Sequence, residues 1–169
     1  GTGLWIPPHG ITNDELMASY NSYVEKFNTE NAKEIAAGSM EELSPSSSEF
    51  VEKASGIKHR YVIEKDHALD PNFMKPLIPA RDIDELSILA EIGVMAGKDA
   101  MENANVTPDD VDAVIVSTAN LQRAYPAIAI EIQNELGIDG YGYDMMVACS
   151  STTFGISNAM ADIAAGKAE

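Results

Sequence analysis

The residue most able to do chemistry is Cys149, within Tyr143-Asp-Met-Met-Val-Ala-Cys149-Ser-Ser-Thr-Thr-Phe-Gly155. An apolar segment of strand length leads into it, small and hydroxyl residues follow, and Ile156–Ala165 reads as a helix. A strand–turn–helix of this kind places the thiol at or near a helix N-terminus, where free backbone N–H groups and the helix dipole favour a thiolate. A thiolate is the reactive form of cysteine, so this is where a nucleophile is expected. The alternative is a buried, inert cysteine, the commoner state of an unpaired thiol. The Gly-x-Ser-x-Gly elbow of hydrolases is absent, since Ala148-Cys149-Ser150-Ser151 lacks both glycines.

Other side chains invite two readings each. The Met145-Met146 pair can line a flexible apolar pocket or fill gaps in a core. Lys53, Lys58, His59 and Arg60 form a positive island in an acidic chain, either an anion site or a solvated face.

The elements that must position these residues follow from periodicity and punctuation. Leu4-Trp-Ile-Pro-Pro8 reads as an extended segment and then a turn. Thr12 or Asn13 caps a helix to about Phe27, and a second helix covers about Ala32–Ala37 with Gly38 as its stop. Ser44-Pro-Ser-Ser-Ser48 is a polar loop, Ser48 caps a helix over Glu49–Ala54 that ends at Gly56, and Arg60–Ile63 is a short strand. Residues 64–82, with three prolines, read as an irregular loop. The longest helix runs from Asp84 to about Asn105, and Leu86, Leu89, Ala90, Gly93, Val94, Gly97 and Met101 share a face whose small residues predict close packing. Thr107-Pro-Asp-Asp is a turn, and Val111–Ser117 is a strand apolar enough to be covered on both sides. Pro126 opens a helix to Leu136 closed by Gly137, Tyr141–Val147 is the strand feeding Cys149, and the last helix ends at Gly166. Alternating strands and helices predict an α/β layered fold with a mainly parallel sheet. The chain begins where a strand ought to be ending and stops where another ought to begin, so a partner segment is expected outside it.

Composition narrows the function. The length of 169 residues and 45% hydrophobic content suit one sizeable core. A net charge of −16 argues against nucleic acid and anionic lipid as partners. One cysteine excludes an internal disulfide and suits a reducing cytoplasm. No apolar run reaches the length of a membrane span.

With this order of elements, several stretches together resemble the β-ketoacyl-acyl-carrier-protein synthase III family of the thiolase superfamily. They are Gly1-Thr-Gly3 with Pro7, Thr12-Asn-Asp-Glu-Leu16, Ser55-Gly-Ile-Lys-His-Arg60, Asp112-Ala-Val-Ile-Val116, Asn120-Leu-Gln-Arg-Ala-Tyr-Pro126, Gln133-x-x-Leu-Gly137, and Asp144-x-x-x-Ala148-Cys149. Asn120–Pro126 and Val147–Ser151 are most similar to the branch that forms β-ketodecanoyl products. The resemblance implies that residues 1–169 are the N-terminal half of a layered αβαβα fold with a mainly parallel mixed sheet, and that a C-terminal half lies outside this chain.

It also implies a reaction. Cys149 would take the acyl group from an acyl-coenzyme A primer, and malonyl-acyl-carrier protein would then be decarboxylated and condensed onto it, in fatty acid biosynthesis. Coenzyme A thioester is substrate, and no cofactor or metal is expected. The family's decarboxylation donors, a histidine and an asparagine, belong to the other half; His9, His59 and His67 match none of its motifs and read as surface or structural. For the coenzyme A nucleotide, the family's aromatic position matches Phe50, while its arginine position matches Ala54. Lys53 or Lys58 would have to substitute without the stacking or forked geometry of a guanidinium. Arg60 matches the family's arginine after this motif, in a binding or a structural role. Tyr125 matches a loop aromatic that reaches the partner's acyl pocket in a homodimer, its alternative being an ordinary interface or core tyrosine. With Met146 it is the candidate acyl-pocket residue. The stretch from about Tyr20 to Ser48 exceeds what acetyl-primed members of that family carry, which suits a longer primer such as octanoyl. Carrier proteins are acidic like this chain, so docking is expected on a basic patch of the other half or on Lys53, Lys58 and Arg60. The competing readings are a hydroxymethylglutaryl- or polyketide-type condensing enzyme and a non-catalytic acyl-binding subunit, and retention of Cys149 weighs against the last.

Overall fold

In the computed structural model, which describes residues 1–168, the chain divides into two compact units. One is Ile6–Ala80, and the other joins Gly1–Trp5 to the residues from Arg81 onward.

In the first unit, strand β1 (His9–Thr12) pairs antiparallel with β2 (His59–Val62), in the register His9↔Val62 to Thr12↔His59. Helix α1 (Asn13–Glu30) starts from a capping box: Thr12 Oγ1 accepts from the Glu15 N–H at 3.2 Å, and Glu15 Oε2 accepts from the Thr12 N–H at 2.9 Å. The short helix α2 (Ala32–Ala36) follows, and α3 (Ser48–Ser55) ends on Gly56 at φ 72°. The α3 cap is Ser47, which receives the Phe50 N–H, while Ser48, the expected cap, donates its hydroxyl to Asp14 Oδ1. Between α2 and α3 the chain returns along α1. Asn21 and Asn28, two turns apart on that helix, each make a pair of amide bonds, to the backbone N–H and C=O of Ser46 and of Leu43. The expected irregular loop after β2 contains one helical turn, α4 (Asp66–Leu69).

The second unit surrounds the parallel pair β3 (Ala113–Ser117) and β4 (Tyr141–Met145), registered Ala113↔Tyr141 to Ser117↔Met145. Among the described residues the strands thus form one parallel and one antiparallel pair, within the expected α/β fold. Helix α5 (Ile88–Ala104) and helix α6 (Ile128–Leu136) pack with β3 around Ala90, Val94, Ile128 and Ile132. The small-residue stripe is explained by this packing. A Cβ on Gly93 would lie 2.3 Å from Ile132 Cδ1, and one on Gly97 would lie 3.0 Å from Leu136 Cδ1. Gly1-Thr-Gly3 lies against α5 in the same way: a Cβ on Gly3 would fall 2.0 Å from the Ala96 carbonyl. Asp99 Oδ2 accepts from the Leu4 N–H there at 2.8 Å.

Helix α5 begins four residues later than expected. Ser87 caps it by accepting from the Ala90 N–H, and the Ser87 N–H and hydroxyl both donate to Glu131 of α6. Helix α6 likewise starts at Ile128, two residues after the proline expected to open it. The last helix, α7 (Ser151–Ala164), packs against β3 and β4, so that β3 carries helices on both faces. An open cleft of about 430 Å³ runs beside α7, lined among others by Ala113, Ile115, Tyr141, Gly155 and Ile163. Among the described residues no helix is long and apolar enough to cross a membrane.

Candidate active site

Two connections leave the C-terminal ends of neighbouring parallel strands, where ligand sites of α/β sheets gather. One follows Ser117 and carries Arg123 and Tyr125; the other follows Met145 and carries Cys149. The Thr118 N–H donates to the Met145 carbonyl at 3.1 Å, holding the two strand ends together one residue past the ladder.

Strand β4 stops four residues before the cysteine, earlier than its apolar pattern suggests. Met146 and Val147 turn, and Ala148–Ser150 form a single 3₁₀ turn that runs into α7. Cys149 sits mid-turn and is exposed, which removes the reading of a buried core thiol. The residue before it, Ala148, has φ 49°, a left-handed conformation that costs an L-residue roughly 1–2 kcal/mol. Ser151, 2% exposed, fastens this turn. Its Oγ accepts from the Val147 N–H at 2.7 Å and lies 2.9 Å from the carbonyls of both Thr118 and Ala148, either of which can take its proton. The Ser151 carbonyl in turn accepts from Ser117 Oγ at 3.0 Å.

The second connection is equally anchored. Arg123 donates to the carbonyls of Ile83 and Glu85 at 2.9 and 3.2 Å and lies 3.8 Å from Glu131, both ions being largely buried. From this base Tyr125 projects with 85% of its surface exposed, joined to Pro126 by a cis peptide. Met146 is 57% exposed beside the cysteine turn, so it is not a core gap-filler.

Phe50, Lys53, Lys58 and Arg60 all belong to the other unit, Ile6–Ala80. Phe50 is 65% exposed on α3, next to a shallow hollow formed by Pro45, Ser46 and Ser47. Lys53 is exposed on the same helix, and Lys58 is paired with Glu52 at 3.1 Å. Arg60 points inward: its Nη1 donates to Oδ1 of the buried Asn13 at 3.0 Å. Of the histidines, His9 and His59 are exposed, and His67 contacts Glu64 and the edge of Phe73.

Sequence reasoning missed Ser151 and Ser117 as supports of the turn, and it found Asp144 only as a motif residue. The Asp144 carboxylate accepts from the N–H groups of Ile128 and Ala129 at 2.9 and 2.8 Å, capping α6 from the neighbouring strand. A hydroxyl two residues after the cysteine was the visible signal for Ser151. Its burial was not readable from sequence.

A parallel strand feeding an exposed cysteine on a strained turn before a helix sets the class of the site: an α/β protein of thiolase-like fold. In sequence the chain is similar to curated β-ketoacyl-acyl-carrier-protein synthases. It is 53% identical over 152 residues to the β-ketodecanoyl-acyl-carrier-protein synthase of Pseudomonas aeruginosa, a match covering 90% of this chain and 43% of that protein. It is 26% identical over 170 residues to the β-ketoacyl-acyl-carrier-protein synthase III of Granulibacter bethesdensis, covering 100% and 39%. Its fold matches the crystal structure of the priming β-ketosynthase of a polyketide biosynthetic pathway with a TM-score of 0.68, at 23% identity, covering 99% of this chain and 37% of that one. No protein-family model matches the chain. The chain spans less than half the length of the curated relatives it matches.

Proposed function

We propose that the whole protein is a decarboxylating acyl-condensing enzyme of fatty acid biosynthesis, with Cys149 as its nucleophile. The observation that carries this reading is the exposed thiol on a turn fixed from both sides, in a chain so similar to a β-ketodecanoyl synthase. The Cys149 sulfur attacks the thioester carbonyl of an acyl-coenzyme A; the tetrahedral oxyanion collapses, the carbon–sulfur bond to coenzyme A breaks, and its thiolate leaves to take a proton. N–H groups of a first helical turn have no intrahelical acceptor, and that of Cys149 is the oxyanion donor in this scheme.

In the second stage malonyl-acyl-carrier protein loses carbon dioxide. The electron pair of the broken carbon–carbon bond attacks the acyl-cysteine carbonyl, the Cys149 sulfur departs, and a β-ketoacyl chain two carbons longer results. Assistance to decarboxylation is assigned to a histidine and an asparagine outside residues 1–169. Phe50 and Lys53 are the residues assigned to the nucleotide end of coenzyme A, and Tyr125 with Met146 to the acyl pocket of a homodimer. The primer is assigned as medium-chain, octanoyl in the first instance.

Incubation of the whole protein with octanoyl-coenzyme A, read by intact mass, tests this. An octanoyl adduct on wild type that is absent from Cys149→Ala is the expected result. An acetyl adduct without an octanoyl one would keep the nucleophile and overturn the chain length. No adduct from any acyl-coenzyme A would leave an acyl-binding, non-catalytic protein.

A further inference from the structure

We propose that Ser151 is a positioning residue for Cys149: a latch that holds the nucleophile's turn in its strained geometry. The inference rests on the reading of Cys149 as the acylated residue. Ser151 does not touch a substrate; it acts through the backbone on either side of the cysteine. Its hydroxyl accepts from Val147, two residues before Cys149, and its proton is shared between Ala148, one residue before, and Thr118, at the end of β3. Its own carbonyl is tied back to β3 by Ser117.

One side chain thus fixes the turn at two points and joins it to the strand next door. The need for it is visible at Ala148, whose φ of 49° is unfavourable unless surrounding bonds enforce it. The left-handed residue aims the chain so that Cys149 is presented to solvent at the strand ends. Without the latch Ala148 relaxes toward negative φ, and the thiol stays exposed but loses its fixed direction. An acyl transfer needs the sulfur in line with a carbonyl and an oxyanion donor, and displacements near 1 Å cost on the order of 100-fold. A small alkylating reagent needs only an accessible thiol.

The test compares Ser151→Ala with wild type in the whole protein, by two reactions and one exchange measurement. Octanoyl transfer from octanoyl-coenzyme A to Cys149 should slow ~10- to 100-fold, while alkylation by iodoacetamide stays within about threefold of wild type. Amide exchange at Val147 should accelerate at least about tenfold, with the β3 amides unchanged. Acylation within twofold of wild type overturns the latch, and so does a parallel fall in both reactions, which marks a general structural loss. If wild type is acylated by no acyl-coenzyme A, the assignment of Cys149 fails separately, and unchanged Val147 exchange in Ser151→Ala would then overturn the latch itself. Ser151→Thr, which keeps the hydroxyl, should restore slow Val147 exchange if the bond and not the cavity is what matters.

Discussion

Asp144 caps a helix that precedes it in sequence: its carboxylate accepts from the Ile128 N–H at 2.9 Å and from Ala129 at 2.8 Å. The first helical position after the Tyr125 loop is therefore set by the strand that leads to Cys149. The negative charge also sits favourably at the positive end of the α6 dipole. Asp144→Ala should cost about 1–2 kcal/mol, in the range of lost helix caps, and Asp144→Asn less, because one acceptor oxygen remains. Urea unfolding checks the order of the two variants. Equal stability of Ala and wild type would show that solvent replaces the cap.

Gly155 lies where α7 approaches β3. A Cβ there would come within 2.4 Å of Ser117 Oγ, a group that cannot turn aside without releasing the Ser151 carbonyl. Gly155→Ala should destabilise by ~1–3 kcal/mol as an overpacked site, less up to about 1 kcal/mol regained from helix propensity. Gly93→Ala meets the tip of Ile132, a side chain with other rotamers, and should cost less. Thermal unfolding of the two variants measures the difference. A more stable Gly155→Ala would place α7 farther from β3 than observed.

Much of this arrangement was legible from local patterns. The helix cap at Thr12, the glycine stops at Gly56 and Gly137 and the close-packed stripe on α5 are written in neighbouring residues. What was not legible depends on partners distant in sequence. Strand β1 has no alternating pattern and exists because β2, some 50 residues on, completes its ladder. Asn21 and Asn28 look like ordinary polar helix residues until the returning backbone at Leu43 and Ser46 supplies what they bind. The start of α5 is set at Ser87 by Glu131 from another helix, overriding acidic residues that would serve well in a first turn. At the site itself the cysteine was legible and its support was not, since the burial of Ser151 and the φ of Ala148 are properties of the packed turn.

Arg60 belongs to the support of its own unit. Asn13 is buried, donates Nδ2 to the Ile57 carbonyl at 2.8 Å, and receives Arg60 at its Oδ1. Removing the arginine leaves a buried amide oxygen without its charged donor, a loss worth about 1–3 kcal/mol. Arg60→Ala should therefore lower stability while leaving the octanoyl-coenzyme A concentration for half-maximal acylation within about twofold. Phe50→Ala should do the reverse, since Phe50 is exposed and a ring stacked on adenine contributes on the order of 1–3 kcal/mol. If Arg60→Ala weakens coenzyme A binding with no loss of stability, the arginine is a ligand-binding residue instead.

Acid should weaken the Ile6–Ala80 unit through two carboxylates. The ammonium of Lys65, together with the Thr12 N–H and hydroxyl, holds the Glu15 carboxyl down at about 2, from 4.5. Glu64 is likewise held at about 2, first by the His67 N–H and then by the Leu77 N–H. A carboxyl whose folded value is depressed stabilises the fold in its ionised form. That contribution is complete above the unfolded value near 4.5 and is lost as pH falls toward about 2. Wild type should therefore lose structure over this window, followed by amide exchange in α1 and in the residues around Glu64. Glu15→Gln and Glu64→Gln, already without the charge, should start less stable at neutral pH and lose less on acidification. Identical acid transitions in wild type and the double variant would mean that neither carboxylate contributes to folding, whatever its hydrogen bonds.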